Sequence, residues 1–371
     1  MKQFSSKTIR IILTGGGTAG HVWPLWAVYE ELKGLSYKYK FDFLYLGSGA
    51  QVEKTLAEKY KVAYKPILSG KLRRYFSLEN FIDPVKIIIG FFQAFFTVLA
   101  FHPKVIFAKG GYVTVPVVFA AAILKVPIIS HESDIIMGLA NRWEAKYATK
   151  ICVGFPVQFY ADLPFRKLIY TGNPIRKQFQ QAKRSNGLNK RSDRTIGTIL
   201  ITGGSQGARF INQTVAAVMG DLTKKFKIIH VSGKNDYEWL KKNKWSNYQL
   251  YDFTDKMPEF MAKASLIISR AGANTLAEIS YLGKPSILIP LSSAANNHQA
   301  KNAEIYEKKN AAVVVSEKGL TGDNLKDIIE RLMEDKELLT NLGRQAKSLS
   351  QPDAAEAIAE EIIKEVTKKS R

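Results

Sequence analysis

The chain has 371 residues, 46% of them hydrophobic and 23% charged, with a formal net charge of +21. That length exceeds one ordinary core and predicts two globular domains, and the composition excludes a disordered chain. The basic excess suits nucleic acid, an anionic membrane or a polyanionic substrate; without a zinc finger, an RRM signature or an aromatic-laced basic helix, no nucleic-acid partner is expected.

Ile9 to Thr14 reads as a strand that runs into Gly15-Gly16-Gly17-Thr18-Ala19-Gly20 and then a helix. Glycine permits positive φ and close approach to a ligand, and a helix N-terminus favours an anion such as phosphate. The apolar Ile11-Ile12-Leu13 stops at glycine and forms no secretory core, so a cytosolic protein is expected. His21 follows directly, with Pro24 read as the helix start. A histidine there is kept neutral by the helix dipole and is free to accept a proton.

Phe41 to Gly47 reads as the second strand. Next come Lys71, Arg73 and Arg74, then Tyr75 and Phe76, then an apolar run from Ile87 to Phe101 interrupted by Gln93. The run is shorter than the roughly 20 residues of a spanning helix. It predicts a helix with most side chains buried in the first domain and some apolar surface left for lipid beside basic anchors. Val105 to Phe107, Pro127 to Ser130 and Lys150 to Val153 read as further strands. The last holds Cys152 as a small buried hydrophobe; a single cysteine excludes an intramolecular disulfide and a cysteine-based zinc cluster. His131-Glu132-Ser133-Asp134 follows a strand end, where open α/β sheets gather ligand groups. His131 and Glu132 read either as such groups or as polar ties between loops.

A domain boundary is expected near Gly172-Asn173-Pro174, before a solvated, linker-like Gln180 to Arg194. The strand–helix alternation then restarts with Ile196 to Thr202 and a second loop, Gly203-Gly204-Ser205-Gln206-Gly207. Lys227 to Ser232, Tyr248 to Phe253, Leu266 to Ser269, Ser286 to Pro290 and Ala312 to Val315 complete a second series of strands. Such alternation predicts parallel, doubly wound sheets, so two similar α/β domains are expected to face a cleft. From Pro352 a helix is expected, with Ile358, Ile362, Ile363 and Val366 as its apolar stripe.

Gly15, Gly17 and Gly20 fit G-x-G-x-x-G, but no acid ends the second strand, where Asp42 stands at the beginning instead. That disfavours NAD, and neither loop has the lysine of a P-loop. In Ser269 to Glu278 a small-residue turn opens a helix, and a carboxylate about one turn in suits a ribose diol while the N-terminus faces phosphates.

Taken in order, Gly15 to His21, Gly110-Gly111-Tyr112-Val113, His131-Glu132, Gly172 to Arg176, Gly203 to Arg209, Ser269 to Glu278, and His298-Gln299 with Asn302-Ala303 form a specific set. With it the chain resembles the MurG family, transferases of N-acetylglucosamine from its UDP donor to undecaprenyl-diphospho-N-acetylmuramoyl-pentapeptide (lipid I). The resemblance implies a GT-B fold of two Rossmann-like domains and a C-terminal helix crossing back to the first. Residues 1–173 with 352–371 would bind acceptor and membrane, and residues 174–351 the UDP-sugar. On the donor side it implies Glu278 at the ribose, Phe253-Thr254 at the uracil, and Arg176, Ser205, Gln206 and Ala273 at the diphosphate. His298 and Gln299 would contact phosphate or sugar hydroxyls.

Gly17, Thr18, Ala19, Gly20, Tyr112, His131 and Asp134 would hold the acceptor and its diphosphate. His21 would be the base, with Glu132 and Asp134 as alternatives, and Lys71, Arg73, Arg74 and Phe76 would belong to a membrane patch. The implied reaction is an inverting transfer to the 4-hydroxyl of N-acetylmuramoyl, giving lipid II for peptidoglycan. It would take place at the cytoplasmic face of the plasma membrane, with other cell-wall synthesis proteins as possible partners. No cofactor or metal is expected, because no Asp-x-Asp motif is present. The alternative is a related transferase with another lipid or soluble acceptor. Two departures stand out: Ala19 replaces a usual glycine, and Ser133-Asp134 stands where the family has Gln-Asn. That carboxylate would repel the acceptor diphosphate, orient His21 or replace it as base.

Overall fold

The computed structural model describes residues 8–17, 19–70, 79–188, 197–204, 206–292 and 297–368. The chain divides into two compact units, Met1–Pro174 with Pro352–Arg371, and Ile175–Gln351. In the first, the described strands are β1 (Ile9–Thr14), β2 (Phe41–Gly47), β3 (Ala63–Pro66), β4 (Val105–Ala108), β5 (Ile128–Glu132), β6 (Lys150–Val153) and β7 (Leu168–Tyr170). They form one parallel sheet in the order β3-β2-β1-β4-β5-β6-β7. The second unit holds β8 (Thr198–Thr202), β9 (Lys227–Val231), β10 (Tyr248–Tyr251), β11 (Leu266–Ser269), β12 (Ser286–Leu288) and β13 (Val313–Val314), also parallel, in the order β10-β9-β8-β11-β12-β13. In both sheets the order reverses beside the strand that carries the glycine loop, β1 against β4 and β8 against β11. At such switch points the loops splay apart and leave room for a ligand.

Central strands are buried on both faces, which is why they read as unbroken apolar runs such as Val105–Ala108. The sequence reading missed β3 and β7. Both are short edge strands with exposed polar or half-buried residues, and they carry no alternation to detect. Several limits also shift: β5 runs on through His131 and Glu132, and β13 shrinks to two residues.

The helix Ala19–Gly34 lies on the first sheet through Trp26, which stacks on Tyr60 at 4.6 Å and meets Tyr45 edge-on at 5.4 Å. Pro24 does not start this helix but is its sixth residue. So near the N-terminus its missing N–H forfeits only the bond to the Gly20 carbonyl. The C-terminal helix Ala354–Thr367 begins two residues after Pro352. It sets Ala355, Ile358, Ala359 and Ile362 into the same core as Ile11, Leu13 and Trp26. Each fully buried isoleucine there contributes about 1.5–3 kcal/mol.

Two expectations are corrected. Most of Gln180 to Arg194 is not a linker: Lys177–Leu188 is helical, because Phe179 and Ala182 bury a stripe beneath its polar residues, while 189–194 lie outside the described residues. Nor is the Glu79–Phe101 helix mostly buried, since only 22% of Asp83–Phe101 is covered. Its packed face is built from small residues. Gly90 lies so close to the Leu68 carbonyl that a Cβ would stand 1.7 Å from its oxygen, and Ala94 and Val98 continue that stripe. Ile88, Phe92, Phe96 and Leu99 are therefore left in solvent, with Phe96 62% exposed.

Candidate active site

In the first unit the loops after β1, β4 and β5 converge on three adjacent strand ends. Gly17 has φ +86°, and a Cβ there would lie 2.6 Å from the Tyr112 ring, so both conformation and contact require glycine. Gly16 N–H donates to the Gly110 carbonyl at 3.4 Å, tying the β1 and β4 loops together. The Gly17 N–H itself is already taken: it donates to Glu53 Oε1 at 3.0 Å. Glu53 is fully buried and also accepts from Ser48 N–H and Ser48 Oγ, both at 2.7 Å, and from Tyr64 OH at 2.9 Å. Burial and this carboxylate push the Tyr64 phenol up. Part of the loop's capacity for an anion is thus spent on an internal carboxylate.

His21, third residue of its helix, keeps some solvent contact. Loss of most of its water, reinforced by the Lys109 ammonium, pushes its pKa down to about 3. At neutral pH it is therefore an uncharged imidazole. His131 is buried, and burial and Lys109 hold it well below the usual histidine range. Its Nε2 lies 3.0 Å from the Gly172 carbonyl, which requires the proton there and leaves Nδ1 as a buried lone pair without a hydrogen-bond partner. Glu132 accepts from Asp134 N–H at 2.9 Å, Gly138 N–H at 3.0 Å and the Asn141 amide at 2.9 Å, so it works as a loop tie. Burial, then the neighbouring Asp134, pushes its pKa up. Asp134 is half-buried, and its carbonyl accepts from Tyr160 OH at 2.9 Å.

Three buried residues here escaped the sequence reading. Lys109 stands just before Gly110-Gly111, so its adjacency to that motif was an available signal. Glu144 is hydrogen-bonded to Thr114, and burial pushes its pKa up to about 8. Glu53 looks like any acid in the amphipathic helix Gln51–Tyr60, and nothing in the sequence marks it.

In the second unit the glycine loop follows β8, and Gly207, at φ +78°, lies against the Ser232 carbonyl after β9, where a Cβ would stand 2.2 Å away. Gln206 is exposed. After β11 the chain turns through Gly272 into the helix Ala273–Leu282, which presents its N-terminus at the same sheet edge. Glu278, on that helix, faces Arg176 at 3.4 Å; these side chains are 18% and 14% exposed. Burial raises the Glu278 pKa, and the guanidinium, itself packed over the Phe179 ring at 5.0 Å, works against the rise.

Thr254 follows β10 and accepts from Lys256 N–H at 3.0 Å. His298 begins the helix His298–Lys308, and Gln299 accepts from Leu291 N–H at 3.0 Å. Arg270, just after β11, pairs with Glu317 at 2.6 Å and donates to the Ile289 carbonyl just after β12 at 3.0 Å. Thr18, Ser205, Lys71, Arg73, Arg74 and Phe76 lie outside the described residues, and Ala19 opens its helix with its side chain undescribed. Among the described residues no three His, Cys, Asp or Glu side chains converge on a metal-binding arrangement.

Two parallel-sheet α/β units, each with a glycine loop at its switch point, define a GT-B glycosyltransferase architecture. Residues 11–153 match the glycosyltransferase family 28 N-terminal domain and residues 198–358 the family 28 C-terminal domain. Relatives named UDP-N-acetylglucosamine--N-acetylmuramyl-(pentapeptide) pyrophosphoryl-undecaprenol N-acetylglucosamine transferase are similar throughout. One from Clostridium kluyveri is 42% identical over 87% of this chain and 91% of its own, and one from Clostridium botulinum 39% identical over 97% and 99%. The crystal structure of Acinetobacter baumannii MurG is similar at a TM-score of 0.74, with 25% identity over 96% of this chain and 99% of that one. A Neisseria meningitidis UDP-GlcNAc 2-epimerase bound to UDP-GlcNAc shares the fold, with a TM-score of 0.67, 14% identity, and 96% and 100% coverage. The chain belongs to the MurG family of glycosyltransferase family 28.

Proposed function

We propose that this protein transfers N-acetylglucosamine from UDP-N-acetylglucosamine to the 4-hydroxyl of N-acetylmuramoyl in lipid I, forming lipid II for peptidoglycan. The observation that carries the reading is near-full-length identity of about 40% to transferases named for that reaction, on a fold with a glycine loop at each switch point.

The first unit serves the acceptor. His21, neutral at physiological pH, accepts the proton of the 4-hydroxyl as that oxygen attacks the anomeric carbon. The bond from the anomeric carbon to the UDP oxygen breaks on the opposite face, so configuration inverts. An imidazole of pKa about 3 is a weak base. A bound diphosphate acts against Lys109 and strengthens it, so proton transfer is coupled to acceptor binding. Tyr112 and the Gly15–Gly17 turn shape the acceptor pocket.

The second unit serves the donor. The Glu278 carboxylate accepts from the ribose diol, which draws on the oxygen that now faces Arg176 and releases Arg176 toward the diphosphate. The N-terminus of Ala273–Leu282 and the loop after β8 stabilise the charge that develops on UDP.

The enzyme works as a peripheral protein at the cytoplasmic face of the plasma membrane. The solvent-facing row Ile88, Phe92, Phe96 and Leu99 on the Glu79–Phe101 helix supports that placement, with Lys71, Arg73 and Arg74 just upstream in sequence as basic anchors. The test is turnover by purified protein with UDP-N-acetylglucosamine and either lipid I or a soluble muramoyl acceptor, with UDP-glucose and NAD as donor-site controls. Turnover with lipid I is expected; turnover only with another acceptor would overturn the reading.

A further inference from the structure

We propose that Lys109 is the charge-balancing positioning residue of the acceptor site: it holds the Ser133-Asp134 turn and offsets the Asp134 carboxylate, so that an anionic acceptor can enter. The proposal rests on the acceptor reading of the first unit and adds a residue and a task to it.

Lys109 is buried, at 1% exposure, at the first position after β4. Its stem runs beneath the first glycine loop, where a Cβ on Gly15 would stand 2.9 Å from Lys109 Cβ. Its Nζ donates to Ser133 Oγ at 2.9 Å. The charged and titratable groups around it come from every element packed there: Glu132, Asp134 and His131 from β5 and its loop, Glu144 from the helix Leu139–Glu144, and His21 from the helix Ala19–Gly34.

A buried ammonium is tolerated only against negative charge. Glu132 is already satisfied by three N–H groups, and Glu144, with its pKa pushed up to about 8, is mostly protonated at neutral pH. Of the three carboxyl groups that face the ammonium, Glu132 first, Asp134 is the one on the turn that Lys109 also holds through Ser133. On the same turn the Ser133 carbonyl accepts from the Asn173 amide at 3.1 Å and the Asp134 carbonyl from Tyr160 OH. Where the resemblance expects neutral Gln-Asn, this chain carries Ser-Asp, and Lys109 meets both new groups: the hydroxyl by hydrogen bond, the carboxylate by charge. The same ammonium disfavours a proton on His21, which keeps the base ready until the acceptor's diphosphate arrives.

The experiment is a double-mutant cycle of Lys109→Met, Asp134→Asn and the pair, read three ways. These are the KM for lipid I at saturating donor, the pH dependence of kcat/KM between pH 5 and 9, and thermal unfolding; UDP-N-acetylglucosamine binding by calorimetry controls for the donor unit. Lys109→Met is expected to raise the acceptor KM roughly tenfold and to move the acid limb to higher pH. Adding Asp134→Asn is expected to return KM to within about threefold of wild type, a coupling of the size seen between charges in contact. Additive losses in the double variant overturn the proposal, because Lys109 would then act by packing alone. If Lys109→Met fails to fold, the double variant must fold for the proposal to stand. If wild type does not use lipid I, the acceptor reading fails by itself, and the coupling in thermal unfolding still decides whether Lys109 and Asp134 balance each other.

Discussion

The two glycine loops begin alike, on a central parallel strand at a switch point, and differ in what surrounds them. The loop after β1 is crowded by buried ionisable groups: Glu53 on the Gly17 N–H, then Lys109, Glu132 and His131 on the adjoining strand ends and Glu144 on the helix Leu139–Glu144. The loop after β8 lies beside the N-terminus of Ala273–Leu282, whose Glu278 pairs with Arg176, and the Arg270–Glu317 ion pair follows β11. One backbone device therefore stands in two electrostatic settings. The second setting suits holding a diphosphate against fixed donors. The first suits adjusting proton affinities around a reacting hydroxyl, because low dielectric makes each neighbouring charge count.

Removing the proposed base should break this contrast most sharply. His21→Ala is expected to cut kcat about 10³-fold while calorimetry finds the UDP-N-acetylglucosamine affinity unchanged. Survival of activity in that variant, with loss in Asp134→Ala, would move the base to Asp134. Next in size, Glu53→Ala should cost about 3 kcal/mol of stability in denaturant titrations, since it strands the Gly17, Ser48 and Tyr64 donors. A shift under 1 kcal/mol would mean the first loop does not depend on its internal carboxylate.

For the second loop, Glu278→Ala should weaken UDP-N-acetylglucosamine binding about 10–100-fold, and unaltered affinity would refute the ribose role. Replacing Phe92 and Phe96 by serine should lower partition onto anionic vesicles about fivefold, and neutralising Lys71, Arg73 and Arg74 should remove much of its salt dependence. Vesicle binding untouched by both would argue against a membrane role for this face. The smallest effect concerns Glu144. Its folded pKa of about 8 lies above the ordinary carboxylate value, so the wild type loses stability as pH rises toward 8. Glu144→Gln is free of that loss, and its Tm relative to wild type should climb between pH 5 and pH 9; a constant difference would show that Glu144 is not protonated.

Legibility in the sequence followed burial and locality. The strands β1, β2, β6 and β11 are legible to the residue, because their covered central positions are apolar while Arg10, Asp42 and Lys150 fall at the less buried starts. Both glycine loops and the helix opening at Ala273 were equally plain, since turn chemistry and helix starts are local. Edge strands β3 and β7 carried no such pattern. The Glu79–Phe101 helix was misjudged because apolar content does not say how much neighbouring surface exists to cover it.

The ordered motifs, read along the chain alone, are enough to point to the family and the reaction. The depressed proton affinity of His21, the Glu53 clamp on Gly17, and the meeting of Lys109 with Ser133 and Asp134 required the folded chain. Those properties are set by burial, by the Lys109–Ser133 hydrogen bond between residues 24 positions apart, and by the charge of Lys109 acting on His21, 88 positions away in sequence. The paired glycine loops are thus visible in one dimension, while the charges that distinguish them are brought together only when adjacent strand ends meet in the sheet.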